Sequence, residues 1–456
     1  MKILIANDID ESLWPRKDGR IWAQRVFWFA VEGDVVILPD RPDEDFVRHV
    51  CGLRGIDPAR VAVRVCPPGR SGNRLITPDT LLDPGFLVDL ARDPAIGPDP
   101  EVVGLFPSAV VGEFAARLGL GSRPEGAEFL AQGGGELANS KASFRALAAG
   151  ADIPTAPGAV CRSRDEAIRA MVALTDGGHD VMVKMAHRGA GVGNELVLNP
   201  GSTPPGNVGA RYHHRLGTGP DAIGRYWDER WTWASAEGRY PVVIERLLDV
   251  RRSLYVELLV GENTCELRGV GVLSYARGRI SRETLGLAEV PEPAARRAVD
   301  DATRLAEVYR AIGYRGFFCA DAALTEDQRI LFTEVNARTT TGSHLHSFLG
   351  ARAREITRVS AVVVRQYSAS PDWSVCSTGR FLAGLASAGL TYRAAAGTGV
   401  FMVLPAVPDR PGSFLYAVAC AEDEEEDHLR RLDKLFHAAP GRTRESPNKA
   451  RETSKE

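Results

Sequence analysis

Apolar positions in the first third of the chain fall in short runs separated by helical pattern. Lys2 to Ala6, Asp34 to Leu38, Val61 to Val65 and Glu101 to Phe106 read as strands, and 43–54 and 108–118 as helices. Strands recurring at roughly 25 to 40 residues suit βαβ units and a mostly parallel sheet. Glycine and proline punctuate 66–100, and Gln132 to Glu136 (QGGGE) reads as a joint, which places a first boundary near 120–135.

Beyond Asn139 the pattern changes. Ser140 to Gly150 and Ala167 to Leu174 read as helices, and VMVKMAHRGAGVGNELVL is two apolar runs joined by a glycine cluster, a hairpin. A Gly-, Pro-, His- and Arg-rich excursion at 199–220 precedes strand-like runs at 242–248, 253–260 and 268–275, then a helix at 292–312 and the pair GFFCADAAL and ILFTEVNA. A further helix is expected over 351–367. The stretch 377–436 alternates again and ends in a helix after the acidic run Glu422 to Asp427, which is expected to be a solvated face or loop. Residues 440–456 are polar and lack aromatics, the pattern of a disordered tail. No internal repeat is visible.

At 456 residues the chain exceeds a single ordinary core. A hydrophobic share of 44% and a charged share of 25% exclude wholesale disorder and fibrous repeats. A net charge of -3 excludes a generally basic nucleic-acid binder. Seven singly scattered cysteines form neither a CxxC pair nor a zinc-finger spacing, so a reducing compartment is expected. The start, MKILIAND, has no apolar signal region, and no run of 18 or more apolar residues occurs. A cytoplasmic protein with neither membrane nor nucleic-acid partner is expected.

The segment 315–343 is the most informative. A hairpin turning on Glu326-Asp327-Gln328-Arg329 sets Asp321 opposite Glu334. Strand alternation then puts Glu334, Asn336 and Arg338 on one face and Leu331, Thr333 and Val335 on the other, so Asp321, Glu334 and Asn336 converge. Two carboxylates this close repel by about 4 kcal/mol at an effective dielectric near 20, so positive charge is required. Two carboxylates and an amide suit a hard cation such as magnesium. Neutralisation by Arg338 or Arg268, or a wet exposed edge, is the other reading.

The glycine cluster, Gly189, Ala190, Gly191 and Gly193 after Arg188, fails as a P-loop because no GK[ST] follows, and as a Rossmann fingerprint because a strand follows it. Between two strands it makes a flap whose N–H groups can close over phosphates. Lys184 lies on the strand face opposite Val181, Val183 and Met185, directed toward the flap's ligand. Lys141 follows in a helix, and VVIERLL at 242–248 is an apolar strand end able to meet an adenine edge. An ordinary mobile hairpin and an ordinary buried strand remain open for each piece taken alone.

The ordered set Lys141, Lys184 with its flap, Glu245, Asp321 and Glu334-x-Asn336-x-Arg338 resembles the ATP-grasp superfamily over roughly 135–350. The resemblance implies an α/β protein with the ATP-grasp fold, two α+β lobes gripping ATP, preceded by an N-terminal α/β pre-ATP-grasp domain. It implies units at 1–130, 131–245 for the lid lobe with the flap, and 246–437 for the C-terminal lobe with the metal site and an extension, followed by the tail at 438–456. By resemblance, ATP and Mg²⁺ are the cofactors. Lys141 and Lys184 become phosphate ligands, Gly189, Ala190, Gly191 and Gly193 the nucleotide-binding flap that covers them, and Glu245, Arg246 and Leu248 adenine contacts. Asp321, Glu334 and Asn336 become the metal ligands, and Arg338 with Lys184 the catalytic pair. The acid that binds ribose in the family has no clear counterpart, since Arg251 and Arg252 stand there; Asp249 is the candidate.

The implied activity is ATP-dependent carboxylate–amine ligation through an acyl phosphate, joining an amino-acid carboxylate to an amino acid or peptide. The N-terminal third is similar to the extra domain of a few peptide-forming members. A small-molecule kinase of the same fold and a non-catalytic nucleotide-binding module stay open, as does a homodimer. Thr339-Thr340-Thr341-Gly342-Ser343-His344 offers room for a second substrate, with His344 either an aid to amine deprotonation or simply hydrogen-bonded. Arg211, His213, His214, Arg215, Arg251 and Arg252 are a basic cleft or a solvated loop. The aromatics from Tyr226 to Trp233 are a substrate surface or a local core.

Overall fold

The computed structural model describes residues 1–7, 18–120, 124–189, 191–350, 362–408 and 410–437. Four strands, β1 (Lys2–Ile5), β2 (Val35–Leu38), β3 (Ala62–Val65) and β4 (Glu101–Gly104), form the expected parallel sheet in the order β3-β2-β1-β4. The central strands are apolar on both faces, Ile3, Leu4 and Ile5 and all of Val35 to Leu38 being buried, as a sheet covered on both sides requires. The helix Glu44–Arg54 starts where the Asp43 carboxylate accepts from Phe46 N and stops at Gly55 in the left-handed region, so its boundaries are encoded locally.

The second sheet holds β5 (Gly158–Cys161), β6 (Val181–Met185), β7 (Asn194–Leu198), β8 (Tyr212–Arg215) and β9 (Val242–Arg246) in the order β5-β9-β6-β7-β8. The glycine hairpin is β6–β7, antiparallel, with Lys184 opposite Asn194. Val181, Val183, Val197 and Ile244 pack on one face against helices Arg164–Asp176 and Ala222–Ala234. Tyr226 and Trp227 are buried there, Tyr226 donating to Glu195 Oε2 at 2.8 Å, so the aromatic stretch is a local core. Met182, Leu196 and Leu198 lie in a separate apolar cluster.

The largest sheet runs β14-β13-β10-β11-β12-β15-β17-β16, made of β10 (Val250–Val260), β11 (Cys265–Ala276), β12 (Arg279–Leu285), β13 (Gly316–Thr325), β14 (Ile330–Asn336), β15 (Val362–Ser368), β16 (Gly399–Leu404) and β17 (Leu415–Ala421). Asp321 pairs with Glu334 as the turn count predicts. The strict alternation does not hold: the register shifts between Asp321 and Ala322, so Phe332 and Val335, three apart, share one core. This bulge corrects the expected face Leu331, Thr333 and Val335, since Thr333 borders the same cleft as Glu334 and Asn336.

Helix Glu292–Ala311 covers this sheet through Ala298, Ala302, Leu305 and Tyr309. Helix Lys141–Gly150 joins the same core through Phe144 and Ala148. The apolar face of this helix is thus matched to the larger sheet and not to the core of the flap sheet.

The C-terminal stretch returns to the first domain. Phe381, Val400 to Val403 and Phe436 share one core with Ile3 to Ile5, Trp28 and Phe46, and Trp28 Nε1 donates to Val403 O at 2.9 Å. The helix expected over 351–367 is a correction: 362–368 is β15, pairing with β12 and β17 through an apolar, β-branched sequence, and 351–361 lies outside the described residues. The acidic run is also more than a solvated face. Glu422 and Glu425 hold the buried Arg365 guanidinium at 3.0 and 2.7 Å, and Glu425 opens the helix Glu425–Phe436, where negative charge is favoured. The tail at 438–456 lies outside the described residues. No helix among the described residues is long and apolar enough to cross a membrane.

Candidate active site

A cleft of about 270 Å³ opens between the flap sheet and the large sheet, bordered also by Trp22 and Arg25 of the first domain. Its floor is set by β13 and β14. Asn336 Nδ2 donates to Asp321 Oδ2 at 3.0 Å, and Arg338 donates to Asn336 Oδ1 at 2.7 Å and to Asn139 Oδ1 at 2.6 Å. The expected convergence of Asp321, Glu334 and Asn336 is thus present, and Arg338 braces the amide without standing between the two carboxylates.

The positive charge comes from the lysines. Lys141, 6% exposed, places Nζ 2.9 Å from Glu334 Oε2 and donates to Arg188 O at 2.6 Å at the root of the flap. Lys184, 5% exposed, reaches across the cleft to donate to Thr333 O at 3.1 Å and lies 2.5 Å from Glu245 Oε2. Burial opposes charge on Glu334, but Lys141 and Lys184 outweigh it and hold the carboxyl below the ordinary range. Burial and the Glu334 charge push Asp321 well above its ordinary value. The two acids therefore divide one charge between them until a further cation arrives.

The donor set fits a hard cation. Two carboxylates and one amide offer only oxygen, and the pair cannot both ionise without added charge. No cluster of three or more His, Cys, Asp or Glu suited to a metal occurs among the described residues, so the remaining ligands would come from phosphate and water.

The flap is folded down. Gly191, at φ +70°, borders the cleft, its carbonyl accepts from Arg211 N at 3.1 Å, and a Cβ there would stand 2.6 Å from Gly278 O. Gly193 O accepts from Met185 N at 2.8 Å, Gly189 O from Val192 N at 3.1 Å, and Ala190 lies outside the described residues. The strand end Glu245 to Leu248 lines the cleft, with Arg246 N and Leu247 N already donating to Pro157 O and Asp180 O. Glu245 is engaged internally, held by Arg145 at 2.6 Å as well as by Lys184. Asp249 is exposed and does not border the cleft, while its neighbours Leu248 and Val250 do.

His344 is fully buried 6.2 Å from Trp28, and burial drives its pKa down to about 3, so it does not face the cleft. Arg145, Arg25, Glu257 and Glu283 were missed. The last two were legible as acids interrupting the strand runs LYVELLV and ISRETL; the two arginines come from elements far away in sequence.

Residues 23–120 match the family model of the pre-ATP-grasp domain. None of the curated proteins matches the sequence. Among solved structures, N5-carboxyaminoimidazole ribonucleotide synthetase from Thermus thermophilus superposes with a TM-score of 0.55 at 14% identity, over 97% of this chain and 100% of that one. The chain has the ATP-grasp fold. Biotin carboxylase from Campylobacter jejuni gives 0.56 at 14% identity over 92% and 87%, and L-amino acid ligase from Bacillus licheniformis 0.52 at 12% over 96% and 98%.

Proposed function

We propose that this chain is an ATP-dependent ligase that joins a carboxylate to an amine, releasing ADP and phosphate. The observation that carries the proposal is that both lysines, the glycine flap and the Asp321, Glu334 and Asn336 set meet in one cleft. The solved neighbours include a biotin carboxylase in a β,γ-ATP complex and an L-amino acid ligase, which supports the reading of a nucleotide-dependent ligase. The narrower reading is peptide formation, as in the peptide ligase of pheganomycin biosynthesis.

In this reading Lys141 and Lys184 exchange their carboxylate partners for nucleotide phosphates. That exchange keeps charge balanced in a dry site and leaves Glu334 free. Magnesium, held by Asp321, Glu334 and Asn336, would supply the charge that neutralises the phosphates. Gly191 and Gly193 close the lid and exclude water, and Arg246 and Leu248 border the base. Arg338, fixed by Asn139 and Asn336, steadies the substrate carboxylate as it takes up the phosphoryl group. An amine then displaces phosphate to form the amide, which requires no covalent protein nucleophile.

The test is phosphate release from ATP across a panel of amino acids and short peptides, with product masses recorded. An amide product with stoichiometric phosphate is expected. A product heavier only by phosphate, with ADP and no free phosphate, would establish the kinase reading instead.

A further inference from the structure

When Lys141 and Lys184 turn to nucleotide phosphates, each abandons a carboxylate, and the two carboxylates are placed differently. Glu334 lies with Asp321 and Asn336, where magnesium can take over from the lysine. Glu245 is outside that oxygen set. Its carboxylate is 3% exposed, and its ion pairs among the described residues are Lys184 on Oε2 at 2.5 Å and Arg145 on Oε1 at 2.6 Å. The two cations occupy separate oxygens, so neither displaces the other. Once Lys184 leaves, a buried carboxylate must keep a counter-ion or take up a proton.

The placement of Arg145 suits that duty. It stands one turn beyond Lys141 on the helix Lys141–Gly150, which Phe144 and Ala148 fix in the core of the large sheet. From there its guanidinium spans two elements of the flap sheet. Nη1 donates to Glu245 Oε1 on β9, and Nη1 and Nη2 both donate to Ala156 O, at 3.1 and 3.0 Å, just ahead of β5. Glu245 pairs with Gly158 on β5, and a Cβ on that glycine would stand 2.8 Å from Glu245 Cα, so the strand that carries the carboxylate is packed tightly against its neighbour. Lys184 and Glu245 border the cleft, and Arg145 does not. Arg145 is therefore anchored to a backbone carbonyl and out of reach of a nucleotide, whereas Lys184 has Glu245 and the Thr333 carbonyl to give up.

We infer that Arg145 is a positioning residue that releases Lys184 to the nucleotide. It holds Glu245 as an anion before and after the lysine moves, so the exchange strands no buried charge. Without Arg145, Glu245 keeps Lys184 as its counter-ion, and the phosphates must compete with a buried one-to-one pair. The inference rests on the nucleotide-binding part of the proposed function and not on the reaction that follows.

The experiment titrates AMP-PNP, a non-hydrolysable ATP analogue, with magnesium into the full chain by calorimetry. Wild type is compared with Arg145→Met, Arg145→Lys, Glu245→Gln and the double variant Arg145→Met with Glu245→Gln, and product masses are recorded with ATP. Arg145→Met should weaken AMP-PNP binding by roughly 10- to 100-fold, the range of one charge-assisted hydrogen bond, although the side chain lies outside the cleft. Its unfolding midpoint should fall by no more than about 5 °C, because the pair left behind is neutral and one carbonyl loses its donors. Arg145→Lys keeps the charge without the planar fork and should recover most of the affinity. On the Glu245→Gln background no carboxylate detains Lys184, so the same Arg145→Met change should alter affinity by less than about threefold. Unchanged affinity in Arg145→Met, no recovery in Arg145→Lys, or an equal loss on both backgrounds would overturn the inference and leave nucleotide binding in place. The expected affinities without an amide product would keep the inference and remove the ligase reading. No AMP-PNP binding by wild type would overturn both.

Discussion

Glu245 offers the sharpest test of how the cleft is held together. Its carboxylate is 3% exposed and receives Lys184 at 2.5 Å and Arg145 at 2.6 Å, whose side chains are 7% and 12% exposed. Glu245→Gln keeps the shape but leaves two buried cations with no anion between them. Each contact is worth roughly 6 kcal/mol at an effective dielectric of 20. Desolvation of the ions offsets most of that, and removal of one partner from a buried pair typically costs about 3–5 kcal/mol. At roughly 2–4 °C per kcal/mol, the unfolding midpoint should fall by on the order of 10 °C. The assay is thermal and urea unfolding of wild type, Glu245→Gln and the double variant Glu245→Leu with Lys184→Met, each with an AMP-PNP titration. The double variant, which removes one cation together with the anion, should recover part of the stability and still bind nucleotide poorly. If Glu245→Gln stays within about 1 kcal/mol of wild type while nucleotide affinity falls, the carboxylate is an adenine contact first and the counter-ion account is wrong.

Two further outcomes follow from the geometry. Gly191→Ala places a methyl 2.6 Å from Gly278 O at a left-handed position, so the flap cannot seat; the KM for ATP should rise several-fold with little change in unfolding midpoint, and an equal loss of both would show that the flap is structural. Glu257, raised by burial from 4.5 to about 7, holds a proton in the folded chain that the unfolded chain has lost. Its contribution is complete below pH 4.5 and disappears as pH rises through 7, about 3 kcal/mol in all. Four histidines, the half-buried His49 and the buried His187, His344 and His346, are lowered and act with the opposite sign, so the measurement is the difference in stability between wild type and Glu257→Gln from pH 4.5 to 8. A pH-independent difference would refute the burial account.

Local pattern sufficed for much of this molecule. The four parallel strands, the glycine hairpin and the pairing of Asp321 with Glu334 follow from period, turn residues and counting, because those constraints act over a few residues. The bulge at Thr333 was not legible, since a one-residue insertion in a strand leaves no mark in composition. β15 was misread because an apolar run without punctuation fits a helix or a buried strand equally, and only its neighbours β12 and β17 decide.

The sequence by itself determined which chemical groups are available near Asp321 and Glu334: oxygen ligands on adjacent strands, two lysines and a glycine loop. Tertiary structure alone decided who neutralises whom. Lys141 reaches Glu334 across 193 positions and Arg145 reaches Glu245 across 100, and Arg25 closes the far end of the cleft from another domain. Charge pairing depends on distance in space and on exclusion of water, and neither is set until the sheets have packed.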